Sequence, residues 1–296
     1  MTSPTVKLSG IAARLYIDHP GGDLFHYTSL TALSGIIPAG TPHGELYATD
    51  ARYLNDALEL RTFVHSIKRA MQFDLEHDDF GQEFQRRFSD WLDYRVADAG
   101  DSIFVTCFTK NGNLLSQWRS YGEQRKSISI GFNPDALQSA AHAQDFTLGR
   151  CLYEPNDHAR VASEVLEVVK HEVQGSHPDD MTKVFQSVEA TLLKIAVLFK
   201  DKGFYEEQEW RLVSRPIAEE DTTAIVEYRV GRSMLVPYIR FKLPRTHGGQ
   251  VAIEQAFLGP TPHVAAAGSS VRRFLVSRGA LPRRGLCHCQ IPYRTT

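Results

Sequence analysis

The chain is poor in cysteine, with only four among 296 residues: Cys107, Cys151, Cys287 and Cys289. None belongs to a CxxC pair, so neither a disulfide framework nor a common zinc module has support. Cys107 and Cys151 sit in apolar, strand-like runs, FVTCFT and GRCLYEP, where a reduced buried thiol is expected. The adjacent donors of Cys287-His288-Cys289 do not match zinc-site spacing, and no metal is expected there. Excess charge is absent too. A formal net charge of -2 and a pI near 6.6 lack the electrostatic footprint of a general nucleic-acid or membrane-surface binder. No run approaches the roughly 20 apolar residues that cross a bilayer. MTSPTVKLSGIAARLYIDHP has no long apolar core behind basic residues, so a cytoplasmic protein without membrane contact is expected. Neither a GxGxxG fingerprint nor a Walker loop occurs, and Ser116 lacks the GxSxG elbow of a serine nucleophile.

What is present is ordinary globular material, 42% hydrophobic and 23% charged, enough to bury a core without staples. LFHY at 24–27 reads as a strand and SLTALSGII as a short helix, capped by Thr28 or Ser29 and stopped by Pro38. GELYATD gives a second strand, followed by a long amphipathic helix carrying Leu58, Val64, Ile67 and Met71. LEHDDFGQEF continues the helical region towards Trp91. SIFVTCFT and SISIGF, β-branched and aromatic, read as strands of one sheet joined by a loop, LLSQWRSYGEQRK. Two helices fill most of 157–201. EQEWRLV, AIVEYRV, VAIEQAFLG and CHCQIPY then read as strands around one late helix, SSVRRFLVSRG, that ends at Gly279. Strand and helix do not alternate regularly. That disfavours a doubly wound parallel fold and points to a single α+β domain over 23–296 behind an N-terminal arm, 1–22.

Period-two alternation in LFHYT puts Leu24, His26 and Thr28 on one face and Phe25 and Tyr27 on the other, with His26 presented at the strand's end. A core histidine bonded to backbone is the plainest account of it. Tyr47 in the second strand and Tyr53 beyond it offer aromatic faces to a flat ligand, although isolated tyrosines more often only pack. In GFYEEQEWRLV the same alternation places Glu207, Glu209 and Arg211 together, opposite Trp210 and Leu212. This is either a solvated turn with Glu209 ion-paired to Arg211 or Arg119, or a carboxylate held in a dry site to stabilise a developing cation. Arg119, within LLSQWRSYG, can clamp a phosphate or a carboxylate bidentately.

The order of these pieces resembles the His-Tyr-Glu group of ADP-ribosyltransferases: His-Tyr-Thr running into a short helix, a Tyr-bearing strand, a late Glu-bearing strand. Over most of 24–294, FHYTSLTALSGII, LYATDARYLND, CFTKNGNLLSQWRSYG, SIGF, FYEEQEWRLV and IPYR together resemble the bacterial family called domain of unknown function 2971 (DUF2971). The transferase resemblance implies a split, mixed or antiparallel sheet with a helical insertion, gripping NAD as substrate, with no metal or further cofactor. It implies His26 on the adenosine ribose with Tyr27 and Thr28 beside it, and Tyr47 and Tyr53 against nicotinamide. Glu209 falls where the family holds the nicotinamide ribose, and is favoured over Glu207, which could share or take that role. The glycine usual beside the motif histidine is replaced by Tyr27. Such an enzyme, of a toxin or phage-defence kind, would transfer ADP-ribose to an unidentified protein or nucleic-acid target. The alternatives are a non-catalytic ligand-binding or interaction module, and a metal-dependent nuclease or hydrolase using Glu207, Glu209 and a histidine.

Overall fold

The computed structural model describes residues 4–41, 43–56, 58–73, 79–121, 126–177, 180–231 and 233–291. Its spine is β3 (Phe104–Thr109) paired with β6 (Glu209–Ser214). Both strands are buried on both faces. Alternation sends Val105 and Val213 into one core and Phe104, Trp210 and Leu212 into another, as period-two geometry requires. The first core is closed by α1 (Pro4–Leu15), α3 (Arg61–Gln72), α4 (Asp79–Trp91), α7 (Pro155–Gln174) and α8 (Met181–Ala196). The second is closed by α2 (Leu30–Ile36), α6 (Pro134–His142) and α9 (Val264–Ser277). In α7 the stripe Val161, Val165, Leu166, Val169 and Val173 is buried at helical spacing, so packing rather than propensity holds it.

The remaining strands are β1 (Leu24–Ser29), β2 (Glu45–Asp50), β4 (Ser127–Phe132), β5 (Phe146–Arg150), β7 (Glu227–Val230), β8 (Leu235–Lys242), β9 (Gln255–Leu258) and β10 (Leu286–His288). The order runs β10-β9-β4-β1-β3-β2-β8-β7, with β6 joining β3 to β5. The ladders are antiparallel except β9–β10, which makes a mixed sheet in an α+β fold. One consequence of the register positions the site. Val105 pairs with Val213 of β6 and Thr49 of β2, and Thr109 pairs with Glu209 of β6 and Phe25 of β1. Because β6 fills one edge of β3 along this stretch, β1 and β2 share the other edge and part at opposite ends of it.

Several sequence expectations need correction. LLSQWRSYGEQRK is not all loop: Leu115–Tyr121 forms α5, and 122–125 lie outside the described residues. The N-terminal arm contains α1, whose Leu8, Ile11 and Ala12 are buried in the first core. The helix after β2 starts only at Arg61, because Leu60 adopts φ 63, and Leu58 is left exposed. Ser29, not Thr28, caps α2, its Oγ accepting from the Ala32 amide at 3.0 Å. Part of LEHDDFGQEF (75–78) and the end of CHCQIPY and IPYR (292–294) are outside the described residues. Strand β8 escaped notice because Pro237 reads as a breaker. Pro237 lies one residue past the last β2–β8 pair, Thr49↔Tyr238, where a missing N–H interrupts no ladder with β2.

Candidate functional site

Where β1 leaves β3, a cleft of about 350 Å³, its open mouth included, is lined by His26 and Tyr27 of β1, Cys107 and Thr109 of β3, and Gln117 and Tyr121 of α5, with Glu207 and Glu209. Phe25 forms part of the wall. A Cβ on Gly112 or on Gly131 would come within 2.5 Å of its ring, so both positions need glycine for this close approach.

His26 Nδ1 donates to the Cys107 carbonyl at 3.0 Å, one rung beyond the last β1–β3 pair, Phe25↔Thr109. The ring therefore clasps the strands at the point where their ladder stops. A carbonyl only accepts, so Nδ1 carries the proton. Burial pushes the His26 pKa down, partly opposed by that same bond. The neutral ring presents Nε2 as an acceptor. Tyr27 is spent on structure: its hydroxyl donates to Asn111 O at 2.8 Å and accepts from the Leu114 amide at 2.7 Å. This anchors the turn that feeds α5.

Behind the cleft lies a buried ion cluster. Arg211 is fully buried, yet all five of its N–H donors are used. Nε and Nη2 donate to Glu209 at 2.8 and 3.2 Å, Nη1 and Nη2 to Glu59 at 2.8 and 2.6 Å, and Nη1 to the Val197 carbonyl at 2.6 Å. Lys200 Nζ donates to Glu209 Oε2, and to Glu207 Oε2 at 2.6 Å. The Tyr153 hydroxyl accepts from the Glu209 amide at 2.9 Å. Burial acts against the Glu209 charge, but Arg211 and Lys200 outweigh it and hold the carboxyl from its ordinary 4.5 down to about 2. Glu59 goes the other way, its pKa raised by burial despite Arg211. Burial acts to lower the Lys200 pKa, and Glu209 and Glu207 more than reverse that.

Glu207 is not on the strand as alternation in the sequence suggested. It ends a 3-10 turn, Lys202–Glu207, and Gln208 follows in the left-handed region at φ 43, ψ 50. That conformation is costly for a residue with a Cβ. Here it redirects the chain so that Glu207 and Glu209 both reach Lys200. Glu209 has both oxygens committed, to Arg211 and Lys200, whereas Glu207 meets Lys200 through Oε2. The favoured carboxylate is thus the more heavily tied of the two.

His26, Tyr27, Glu207 and Glu209 are brought together. Thr28, Tyr47, Tyr53 and Arg119 are not among the lining residues. Thr28 is buried next to the helix cap. Tyr47 lies on the exposed face of β2, stacked on Tyr238 with ring centroids 4.1 Å apart. Tyr53 ends a short 3-10 turn, Ala51–Tyr53, and is exposed. Tyr47 thus belongs to β2 and Tyr53 to the turn after it, and neither side chain enters the cleft lining. Sequence reasoning missed Lys200 and Glu59. Lys200 is signalled by a lone cation ending the apolar run IAVLF, while Glu59 carries no local signal, because its partner is 152 residues away. Among the described residues no group of three or more His, Cys, Asp or Glu side chains is placed to hold a metal. Nor is any described helix long and apolar enough to cross a membrane.

Residues 117–212 match a family model described as protein of unknown function (DUF2971). The matched segment supplies Gln117, Tyr121, Lys200, Glu207, Glu209 and Arg211, one wall of the cleft and most of the cluster behind it, while Glu59 comes from outside it. His26 and Tyr27 come from outside it. No curated protein and no solved structure matches the chain.

Proposed function

We propose that the cleft takes the nicotinamide ribose of NAD and that the protein is an ADP-ribosyltransferase-like enzyme. One observation carries this reading. A neutral histidine and two carboxylates, far apart in the chain, line one cleft at the point where β1 and β2 diverge along β3. A ribose offers hydroxyl donors, and the cleft offers matching acceptors in His26 Nε2 and the Glu207 carboxylate. As the bond from ribose C1′ to the nicotinamide nitrogen breaks, its electron pair leaves with nicotinamide and the ribose gains oxocarbenium character. Carboxylates already fixed, Glu209 buried and Glu207 partly so, stabilise that charge more in the transition state than in bound NAD. A nucleophile of the protein or nucleic-acid target then takes C1′. In this reading Glu207 touches the ribose, while Glu209 is a positioning and electrostatic group behind it, held by Arg211 and Lys200.

The double commitment of Glu209 also favours a second reading, a module that binds the same ligand without cleaving it. Calorimetry with NAD, run beside chromatography of free nicotinamide with and without cell lysate, separates the two. Binding with release is expected, and Glu207→Gln should lower release about a hundredfold with NAD affinity nearly unchanged. Binding without release selects the module, and absence of binding overturns both.

A further inference from the structure

The strand that offers Glu209 to the cleft turns its neighbours elsewhere. Gln208 and Trp210 line a second pocket together with Lys110, Arg150, His19 and Asp18. The sheet register builds it. Lys110 directly follows Thr109, the partner of Glu209, and Arg150 is the β5 partner of Trp210. Two cations, one just past the end of β3 and one on β5, therefore flank one indole on β6.

The lining is rich in donors and short of acceptors. Trp210 is only 2% exposed, and its Nε1 is buried with no hydrogen-bond partner among the described residues, a state that buried donors seldom keep. The one carboxylate in the lining, Asp18, stands 3.9 Å from Arg150, both side chains being about half exposed. A pair that long and wet binds weakly and leaves the guanidinium available to a better partner. His19 is turned to Asp135 at 2.9 Å.

We propose that this pocket binds a phosphoryl group through Lys110, Arg150 and the indole N–H of Trp210. Donors arriving from three separate segments suit a tetrahedral oxyanion, whose oxygens point in several directions, better than a planar carboxylate. The site stands apart from the NAD cleft and does not rest on the reading given to it.

The test is to titrate the protein with inorganic phosphate and, separately, with AMP, following the tryptophan indole N–H signals by NMR. Trp210→Phe identifies the relevant one. A saturable shift of that signal is expected, and the stronger response of the two assigns the carrier as free phosphate or a phosphate ester. Lys110 and Arg150 are both exposed, so Lys110→Ala/Arg150→Ala should keep its melting temperature and lose at least tenfold in affinity. Lys110→Gln and Arg150→Gln, made singly, serve if the double variant does not fold. No saturable shift with either probe, an equal response to acetate or chloride at matched ionic strength, or unchanged affinity in the variants overturns the proposal.

Discussion

Two clusters in this molecule use the same parts and do different things with them. One sets Arg211 between Glu59 and Glu209 with no exposure, tying β6 to the segment before α3 and to the end of α8. The other sets Arg240 between Glu227 and Glu45 on the outer face of β2, β7 and β8, over the ring of Tyr47. Both arginines meet two carboxylates at hydrogen-bonding distance, yet Arg240 keeps 41% of its side chain in solvent. Contact geometry alone does not rank them. Environment does, because a buried charge left without its partner cannot be rehydrated, whereas an exposed one can.

The sharpest way to break this comparison is Arg211→Ala. It leaves two carboxylates facing each other in a closed space, and a loss of about 3–5 kcal/mol is expected in urea unfolding. Arg211→Lys should recover only part, since an ammonium cannot serve acceptors fixed for a planar fork. A loss below 1 kcal/mol would put the buried cluster on the same footing as the surface one.

Acid unfolding probes the same cluster through Glu209. Its folded pKa, about 2, lies below the ordinary 4.5. The stabilisation from its ionised form is therefore complete above 4.5 and is lost as pH falls from there towards 2. Glu59, with its raised pKa, acts in the opposite sense and at higher pH, so it should appear as a slight gain in stability before the loss. Replacing Glu209 by Gln should flatten the wild-type decline below pH 4.5. An unchanged decline would place the acid-sensitive carboxylates elsewhere.

The two clusters also differ in how far the sequence announces them. β1, β3, β4 and β6 are legible because each buries residues in a local pattern, and Glu209 and Arg211 fall together by simple alternation, as their mutual hydrogen bond requires. The reading fails where a nonlocal or conformational term decides. Glu207 reaches the cleft through one left-handed residue, Gln208, to which no composition rule points. Tyr47 and Tyr53 look like ligand-stacking aromatics, but neither lines the cleft, and the Tyr47 ring is taken up by Tyr238 of β8. That partner is set by the β2–β8 pairing, a contact distant in the sequence. Arg119 sits beside residues that do face the cleft, and only the phase of α5, itself hidden in an apparent loop, separates them.

A milder test concerns the clasp. His26→Ala removes one acceptor from the cleft and leaves the Cys107 carbonyl unmatched, without touching the ion cluster. NAD affinity by calorimetry should fall by about 1–2 kcal/mol while the melt stays cooperative. Unchanged affinity with a lowered melting temperature would make His26 a strand clasp and nothing more.

The smallest effect is expected on the outer face. Arg240→Ala deletes three hydrogen bonds to carboxylates, to Glu227 at 2.6 and 2.8 Å and to Glu45 at 2.8 Å, more charge-assisted contacts than many buried pairs make. Even so, Glu227 keeps its bond from the Tyr238 hydroxyl and both carboxylates can take up water, so unfolding stability should drop by less than about 1 kcal/mol. The drop should shrink further in high salt. A double-mutant cycle with Glu227→Gln isolates the pair, and its coupling should also stay below about 1 kcal/mol. A coupling of 2 kcal/mol or more, insensitive to salt, would show that the β2–β8 face is shielded from water in solution. The contrast with Arg211 would then vanish for a physical reason, since shielding is the one property on which the ranking depends.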